Sequence, residues 1–406
     1  MTAHIAVVGA SLAGLRAAEQ LRIAGHSGPI TLLGEEPHLP YNRPPLSKEV
    51  LSAPGDSSPE RLHQMVSFRR RPIVDDVDFR LGLPVVEADV RRGRLIVEGG
   101  AAVTFDGLVV ATGLRPRRLG LPGPKTGRYV LRTLDDCIAL RRVLRPGARI
   151  VVVGAGFVGC EVAATALRQG CRVTVVEPSG SPMNRVLGPS LAQAVQRHHE
   201  ASGIAFVIGR AIAGYLGAAT VTGVELDDGR TIAADAVVEA VGSVPNVEWL
   251  RPNLELDLSD GVLCDNLLSV VGEDRVVAVG DVARFPNPLF DDVPRRVEHW
   301  SIPTDTAKRA AVTLTAQLAG GEPNQAPFVP IPSFWSDQLD LRFQSFGSPA
   351  LADEVRLDEG DLDRLQAGVL ATYHRRSLHV GTVAINLPPA RQRELREAFT
   401  ALAAAV

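Results

Sequence analysis

Two stretches of the chain share one order of apolar and polar positions. The segment HIAVVGASLAGLRAAEQLRIAG opens with an apolar run, turns at a glycine-rich stretch and continues with apolar residues at helical spacing. PITLLGEE follows it as a second apolar run that ends in acidic residues. RIVVVGAGFVGCEVAATALRQG and CRVTVVEP repeat this order later in the chain. The pattern predicts two strand–helix–strand units.

The last part of the chain, from about Gln325, has a different pattern. PSFWSDQLDLRFQSFG alternates apolar and polar residues as a strand does, and HVGTVAINLP predicts another strand. PARQRELREAFTALAAAV predicts an amphipathic helix. We therefore expect an α/β protein with two Rossmann-like dinucleotide-binding domains and a small α+β C-terminal domain.

Two segments predict where the chain crosses between the first two domains. DGLVVATGLRPR and DAVVEAVGSVPN each run from a buried strand into a glycine turn and then a proline. These crossings make the first domain discontinuous, with residues 1–114 and 241–324. The second domain comprises residues 115–240, and the C-terminal domain comprises residues 325–406.

The second glycine turn has the full G-x-G-x-x-G spacing. The first glycine of such a turn allows the tight bend, the second lets the backbone approach a pyrophosphate, and the third lets the helix pack on the strand. Gly154, Gly156 and Gly159 occupy these positions. Glu177 ends the next strand, where a carboxylate can accept hydrogen bonds from ribose hydroxyls. The spacing predicts a dinucleotide site.

The first glycine turn differs at one position. Gly9 and Gly14 hold the outer positions, and Ser11 holds the middle one. The acid after the second strand is Glu35 or Glu36. Because serine adds only a small side chain, which can donate to a phosphate oxygen, we predict a second dinucleotide site here.

Composition excludes several classes of protein. The 406 residues suffice for two or three domains, and 45% hydrophobic content with a mean hydropathy of +0.09 indicates a globular protein. The net charge of -3 argues against general nucleic-acid binding. Apolar runs are short and broken by glycine, so no membrane span is expected. With a first strand at about His4, we expect no secretory signal and a cytoplasmic location.

The four cysteines lack any spacing that indicates chemistry. Cys137, Cys160, Cys171 and Cys264 form no C-x-x-C pair and no metal-ligand pattern. We expect no disulfide framework, no metal site and no redox-active dithiol. They are interpreted as small core residues.

Further motifs give the chain a family resemblance. YNRPPLSK follows the first unit, ATG closes its last strand, VGD lies near residue 280, and FWSDQ lies in the C-terminal region. Together with the two units, these motifs resemble the bacterial FAD-dependent ferredoxin reductases of oxygenase systems. The resemblance implies that the first unit binds FAD, the second binds NADH, and the C-terminal domain completes the flavin pocket.

The resemblance also assigns site residues. It places FAD against Gly9, Ser11, Gly14, Glu35, Arg43, Lys48, Thr112, Gly113, Gly280, Asp281, Trp300 and Trp335. It places NADH against Gly154, Gly156, Gly159, Glu161, Glu177 and Gly242. A helix after Trp300 would direct its positive end at the flavin. The family usually has asparagine and alanine there, whereas this chain has SIPTDTAKRAA, with Thr304 near the helix start.

Lys48 and Glu161 are the predicted catalytic residues. Lysine is rare here, with Lys48, Lys125 and Lys308 as the three lysines among 43 basic residues. A compact ammonium whose pKa shifts on burial suits a site beside a flavin better than a guanidinium does. The resemblance makes Glu161 its partner.

These assignments have structural alternatives. Trp300 and Trp335 could be core aromatics, and Asp281 could cap a helix. Glu161 could be a solvated acid in the first helical turn, and Lys48 a helix-surface lysine.

The reaction that the resemblance implies is hydride transfer from NADH to FAD, then release of single electrons to a [2Fe-2S] ferredoxin. That ferredoxin would serve a cytochrome P450 or a Rieske oxygenase. A rubredoxin reductase and an NADH oxidase remain alternatives, as does a flavin-bearing interaction protein like apoptosis-inducing factor. A disulfide reductase is disfavoured because PYNRPPLSKEVL contains no cysteine.

Selectivity and partner docking can also be predicted. PSGSP after Glu177 offers no cation to a 2′-phosphate, so we expect NADH to be preferred over NADPH. An acidic ferredoxin needs a local basic face, for which we predict Arg295, Arg296 and Arg309 rather than the cluster at residues 69–71. The protein is expected to be a monomer or a weak homodimer.

Overall fold

A computed structural model of the chain describes residues 2–55, 57–253 and 255–404. The last two residues of the predicted C-terminal helix lie outside the described residues. No helix among those described is long and apolar enough to cross a membrane.

The first part of the chain contains the first predicted unit. Its elements are β1 (Ile5–Val8), α1 (Leu12–Ile23), β2 (Ile30–Leu33), α2 (Pro59–Val66), β3 (Asp78–Arg80), β4 (Val85–Asp89), β5 (Arg94–Val97), β6 (Ala102–Thr104), β7 (Gly107–Val110) and β8 (Leu114–Pro116).

The middle part contains the second unit. Its elements are β9 (Arg128–Tyr129), α3 (Leu134–Arg141), β10 (Arg149–Val153), α4 (Phe157–Arg168), β11 (Arg172–Glu177), α5 (Asn184–Leu187), α6 (Pro189–Ala201), β12 (Ala205–Ile208), β13 (Ile212–Leu216), β14 (Gly223–Leu226), β15 (Thr231–Ala233), β16 (Ala236–Glu239) and β17 (Ser243–Pro245).

The last part returns to the first sheet and then forms the C-terminal region. Its elements are β18 (Val262–Leu263), β19 (Val276–Ala278), β20 (Ala283–Asn287), β21 (Asp291–Arg296), α7 (Ile302–Leu318), β22 (Ser333–Gln338), β23 (Leu341–Gly347), β24 (Glu354–Glu359), β25 (Val369–Arg375), β26 (Leu378–Ile385) and α8 (Pro389–Ala404).

Two five-stranded sheets form the centres of the two units. The first has the order β19-β7-β1-β2-β3 and the second the order β12-β11-β10-β16-β9, and every neighbouring pair is parallel. Strands β1, β2, β7 and β19 are buried along their whole length, as expected for a parallel sheet covered on both faces. The predicted α/β fold is confirmed.

Helices and small sheets cover these two sheets. Helices α1 and α7 pack on each other, and α7 also packs on β19. In the second unit α4 packs on β10 and β11, and the antiparallel sheet β13-β14-β15 packs through apolar residues on the opposite face. Because connections leave from the carboxyl ends of the strands, the glycine turns lie at those ends of both sheets.

The C-terminal region is an antiparallel sheet with one helix. Its order is β22-β23-β26-β25-β24, and α8 packs against β23. Strand β22, which carries the FWSDQ motif, packs on α4 of the second unit. The alternation read from the sequence therefore corresponds to a sheet that reaches the nucleotide-binding units.

Candidate active site

A cavity of about 620 Å³ opens where the two units and the C-terminal sheet meet. A volume in this range is typical of small-molecule and cofactor sites. Ten of the predicted site residues line it, namely Ser11, Arg43, Lys48, Gly113, Gly156, Glu161, Gly242, Asp281, Trp300 and Trp335. The structure thus brings together residues from all three regions of the sequence.

The outer glycines of both turns are required by close backbone approach. A Cβ on Gly9 would lie 2.2 Å from the Ala111 carbonyl oxygen, and one on Gly14 would lie 1.9 Å from the Gly9 carbonyl oxygen. In the second turn, a Cβ on Gly154 or Gly159 would lie 2.4 or 2.2 Å from a backbone oxygen. These glycines lie behind the cavity wall and hold the shape of the turns.

The middle position of each turn has a different environment. Apart from its two chain neighbours, no described residue has an atom within 4 Å of a Cβ built on Gly156, which is the N-cap of helix α4. Ser11 is the N-cap of α1, and its side chain makes no capping hydrogen bond. Both residues line the cavity. The protein therefore leaves both positions free to approach a ligand, and a serine is tolerated where the backbone does not crowd it.

The acidic residues that follow the second strand of each unit have different hydrogen-bond partners. Glu177 accepts hydrogen bonds from the backbone N–H groups of Ala155 and Ser179, both at 2.8 Å. Glu36 accepts from Arg43 at 2.6 Å and from the Tyr41 hydroxyl at 2.5 Å, whereas Glu35 is exposed. Neither Glu35 nor Glu177 lines the large cavity.

Lys48 and Glu161 form a buried ion pair. Lys48 Nζ lies 2.7 Å from Glu161 Oε2, and the two residues are 7% and 6% exposed. Lys48 is therefore not a helix-surface lysine, and Glu161 is not a solvated acid. Both line the cavity, so the charges are withdrawn from water beside the space for a ligand.

Three regions of the chain hold this pair in place. Lys48 follows a short 3-10 helix at Pro44–Ser47 that starts with two prolines, and it donates to the Pro44 carbonyl at 3.2 Å. Ser47 Oγ donates to Glu161 Oε2 at 2.5 Å, and Ser336 Oγ of β22 donates to Glu161 Oε1 at 2.6 Å. Both oxygens of the carboxylate are thus satisfied, which a buried charge requires.

A second cluster contains two arginines and an aspartate. Arg132 Nη2 lies 3.3 Å from Asp281 Oδ2, and Arg43 donates to the Arg132 carbonyl at 2.7 Å. Burial raises the pKa of Asp281, and Arg132 opposes that rise. Burial and then Arg43 lower the pKa of Arg132, whose buried Nε has no hydrogen-bond partner among the described residues. A polyanion between the two guanidinium groups would oppose the lowering of the Arg132 pKa and offer an acceptor to its Nε, so the two arginines fit the pyrophosphate of FAD.

Aromatic residues form another wall of the cavity. The Trp300 and Trp335 rings meet edge to face at 5.2 Å, and Trp300 is 43% exposed. Trp300 is therefore not a core aromatic. Helix α7 begins at Ile302, directly after this motif, with Pro303 near its start. Next to Trp300, burial lowers the pKa of His299 to about 4, which keeps its ring neutral at pH 7.

Two predicted FAD residues have structural contacts instead of a place in the cavity wall. Thr112 Oγ1 donates to the Asn246 carbonyl at 2.7 Å, and Asn246 Nδ2 donates to the Thr112 carbonyl at 3.0 Å. These bonds join the two crossing segments, which also pair through β8 and β17. A Cβ on Gly280 would lie 2.8 Å from Ala13 Cβ, so the absence of a side chain at Gly280 lets this segment pack against helix α1.

Two of the three predicted docking arginines have their charges compensated. Arg295 donates to both oxygens of Asp291, at 2.5 and 2.9 Å, and shares this carboxylate with Arg375, which lies 2.6 Å from Oδ2. Arg296 contacts Asp260 at 2.7 Å and Glu298 at 2.8 Å. Arg309 instead lies at a second cavity of about 490 Å³, together with Lys308 and Arg396. Arg309 thus differs from Arg295 and Arg296 in its surroundings, and the docking role of the three arginines stays a prediction.

Some residues of the site were missed in the sequence. Ser47 and Ser336 lie inside the quoted motifs YNRPPLSK and FWSDQ, but a serine hydroxyl carries no pattern of its own. Arg132 lies in a segment without a recognised motif. Glu239, a buried acid at the end of an apolar strand, carried a signal that could have been noticed.

Comparison with known proteins shows the family to which the chain belongs. The sequence profile described as pyridine nucleotide-disulphide oxidoreductase matches residues 3–307. The chain belongs to this family. A probable ferredoxin reductase of Castellaniella defragrans is 35% identical over 376 residues, which cover 91% of this chain and 87% of the relative.

Two solved structures of the family resemble the chain over nearly its whole length. The ferredoxin reductase for the CYP199A2 system from Rhodopseudomonas palustris has 33% identity and a TM-score of 0.84, and the match covers 94% of this chain and 91% of that one. Putidaredoxin reductase in its covalent complex with putidaredoxin has 28% identity and a TM-score of 0.86, with 97% and 92% covered.

Proposed function

We propose that the chain is an NADH-dependent ferredoxin reductase of an oxygenase system. The observation that carries the proposal is the buried Lys48–Glu161 pair in the wall of a cavity shared by two dinucleotide-type glycine turns. Relatives and solved structures named as ferredoxin reductases match almost the whole chain. When bound, FAD would accept a hydride from NADH and deliver the electrons singly to a ferredoxin.

FAD is assigned to the first unit in this proposal. Its pyrophosphate would lie at the first turn, against the N-terminus of α1 and the guanidinium groups of Arg43 and Arg132. Asp281 would accept from the ribityl chain, and α7 would direct its positive end at the ring. The FAD-binding domain would then comprise residues 1–114 and 241–324, as the shared sheet β19-β7-β1 supports.

NADH is assigned to the second unit, residues 115–240. The N-terminus of α4 and Gly156 would meet its pyrophosphate, and Glu177 would accept from the adenosine ribose. Lys48, Glu161 and Gly242, which line the same cavity, would border the nicotinamide. The Lys48 ammonium would stabilise negative charge on the reduced ring system, and the 325–406 region would exclude water from this junction.

The partner is proposed to be an acidic [2Fe-2S] ferredoxin that docks at the second cavity. Its charged lining residues are Lys308, Arg309 and Arg396 against Asp305. Ser301 and Ser333 of this cavity adjoin residues that line the first cavity. A carboxylate bound here would therefore bring the partner beside Trp300 and Trp335, near the exposed edge of the site.

Steady-state reduction of cytochrome c by NADH, with and without a panel of ferredoxins and rubredoxins, tests the function. We expect strong stimulation by at least one [2Fe-2S] ferredoxin. Stimulation by rubredoxins alone would make the chain a rubredoxin reductase, and turnover with oxygen alone would make it an NADH oxidase.

The docking site is tested with two matched variants. The triple change Lys308→Ala, Arg309→Ala and Arg396→Ala should lower ferredoxin reduction and flatten its salt dependence, because association slows. The double change Arg295→Ala and Arg296→Ala is the control, since carboxylates already neutralise those charges. Ferricyanide reduction should stay near normal in both. Equal losses of ferredoxin turnover would move the docking face elsewhere.

We further propose a cytoplasmic location, since the reaction draws on the cellular NADH pool. We also propose that the protein is a monomer or a weak homodimer. Light scattering of the holoprotein at several concentrations tests the oligomeric state.

A further inference from the structure

Glu239 lies at the carboxyl end of β16, at the point where a ligand would cross the second sheet. Helix α4 connects β10 to β11 on one side, whereas β16 borders β10 on the other side. The carboxyl ends of β10 and β16 therefore flank the switch point at which open α/β sheets bind ligands. Glu239 lines the large cavity, next to Ala240 at the glycine turn.

The carboxylate is buried and its charge is balanced. Glu239 is 2% exposed. Arg128 Nε donates to Oε1 at 2.8 Å, and Arg128 Nη2 lies 2.6 Å from the same oxygen. The Tyr215 hydroxyl also donates to Oε1, and the Arg128 guanidinium stacks 3.9 Å from the Tyr215 ring centre. All close donors thus converge on one oxygen.

The other oxygen lacks a donor. Glu239 Oε2 is buried and accepts no hydrogen bond from any residue that the structure describes. Its nearest cation, Arg118 Nη1, is 3.7 Å away on a half-exposed side chain. Burying an acceptor without a hydrogen bond is unfavourable because the lost hydration is not replaced, and such groups are rare in native proteins. The site therefore has an unfilled place for a hydrogen-bond donor.

We propose that Glu239 Oε2 accepts a hydrogen bond from a hydroxyl of the nicotinamide-side ribose, an inference that rests on the proposed NADH site. The adenosine ribose would lie at Glu177, at the end of β11. The pyrophosphate would lie at the turn after β10, and it has no hydrogen-bond donor to offer to Glu239. A ligand that continues in this direction reaches β16 with its second ribose. Arg128 offsets the carboxylate charge, so Glu239 can lie near a pyrophosphate.

A comparison of three nucleotides tests the proposal in the holoprotein. NAD⁺ and ADP-ribose carry the second ribose, whereas ADP does not. Glu239→Gln should weaken binding of NAD⁺ and ADP-ribose by about fivefold to tenfold, because a charged acceptor is replaced by a neutral amide. The affinity for ADP should stay within about twofold of that of the unchanged protein. Isothermal titration calorimetry measures all three affinities.

Two controls separate this role from a structural one. Tyr215→Phe removes a donor from Oε1 and keeps Oε2, so ADP-ribose binding should persist. Arg118→Ala should also preserve ADP-ribose binding. If Arg118 is the true partner of Oε2, Arg118→Ala and Glu239→Gln will both lower the melting temperature while leaving all three affinities unchanged, and the proposal is overturned.

A ligand-side measurement covers the case in which Glu239→Gln does not fold. NAD⁺ analogues that lack the 2′- or the 3′-hydroxyl of the nicotinamide ribose should include one that binds the unchanged protein about fivefold to tenfold more weakly than NAD⁺. In folded Glu239→Gln that difference should disappear. Equal affinity of all analogues, or equal loss of all three nucleotides in Glu239→Gln, refutes the ribose contact. Failure of the unchanged protein to bind any nucleotide would instead refute the proposed function.

Discussion

Of the three glycine positions of the motif, the two turns of this chain differ at the middle one, which the fold leaves free. Gly14 and Gly159 are both forced by a backbone oxygen within 2.2 Å of a built Cβ, and Gly9 and Gly154 are forced in a similar way. Gly156 has open space around it, and Ser11 occupies the matching place in the first turn. Internal packing explains the outer glycines, whereas the middle residue is available to the ligand.

The acids of the two units extend this comparison. Glu177 accepts backbone hydrogen bonds from Ala155 and Ser179, so it shapes the turn whose nucleotide it is proposed to bind. Glu36 accepts instead from Arg43 and Tyr41, which fixes an arginine of the proposed pyrophosphate site. Glu177 is thus proposed to contact the nucleotide itself, whereas Glu36 orients a cation.

Replacing the third glycine of each turn with alanine should have the largest effect, and the effect should fall on a different cofactor in each case. Gly14→Ala places a methyl group 1.9 Å from the Gly9 carbonyl oxygen, so we expect a protein with little bound flavin. Gly159→Ala disturbs the second turn alone. It should weaken NADH binding by about tenfold to a hundredfold, corresponding to overpacking by about 1–3 kcal/mol. Flavin absorbance per chain and NADH titration measure both, and equal flavin loss in the two variants would contradict independent sites.

Lys48→Met tests the junction between the units. The change leaves the Glu161 carboxylate buried without its cation, so stopped-flow flavin reduction by NADH should slow by about tenfold to a hundredfold. NADH affinity should change less than the rate, because Lys48 borders the reacting centre rather than the pyrophosphate. Exposed Lys125→Met is the matched control and should behave as the unchanged protein. An unaltered reduction rate in Lys48→Met would restrict Lys48 to a structural role.

Much of the fold was accessible from local pattern, because strands buried on both faces and glycine turns leave strong periodic signals. The segments that carry Ser47, Glu161 and Ser336 are far apart in sequence. The family resemblance, and no local pattern, indicated that these segments meet in one site. The neutralisation of Arg295 by Asp291 could not be predicted, since it depends on the hairpin register of β20 and β21. A run of like charges in a sequence does not show which partners the fold supplies.

Nucleotide selectivity is the next distinction between the units. Glu177 accepts hydrogen bonds from two backbone N–H groups, which hold its carboxylate in place. The negative charge of this carboxylate would repel a 2′-phosphate. We expect kcat/KM for NADH to exceed that for NADPH by at least about tenfold, equivalent to about 1.4 kcal/mol. Ferricyanide reduction with each nucleotide measures this ratio independently of the ferredoxin. Similar values would show that Glu177 does not face the adenosine ribose.

The smallest effect is expected at the middle positions, where the two turns can be exchanged. Gly156→Ser introduces a side chain into open space, so the melting temperature should change little, and NADH affinity should fall by no more than about threefold. Ser11→Gly should likewise retain FAD, since the Ser11 side chain makes no capping bond. Thermal unfolding and NADH titration of both variants provide the measurement. A loss in Gly156→Ser as large as that in Gly159→Ala would mean that a bound nucleotide, rather than the protein, crowds the middle position, and that the two turns hold their ligands at different distances.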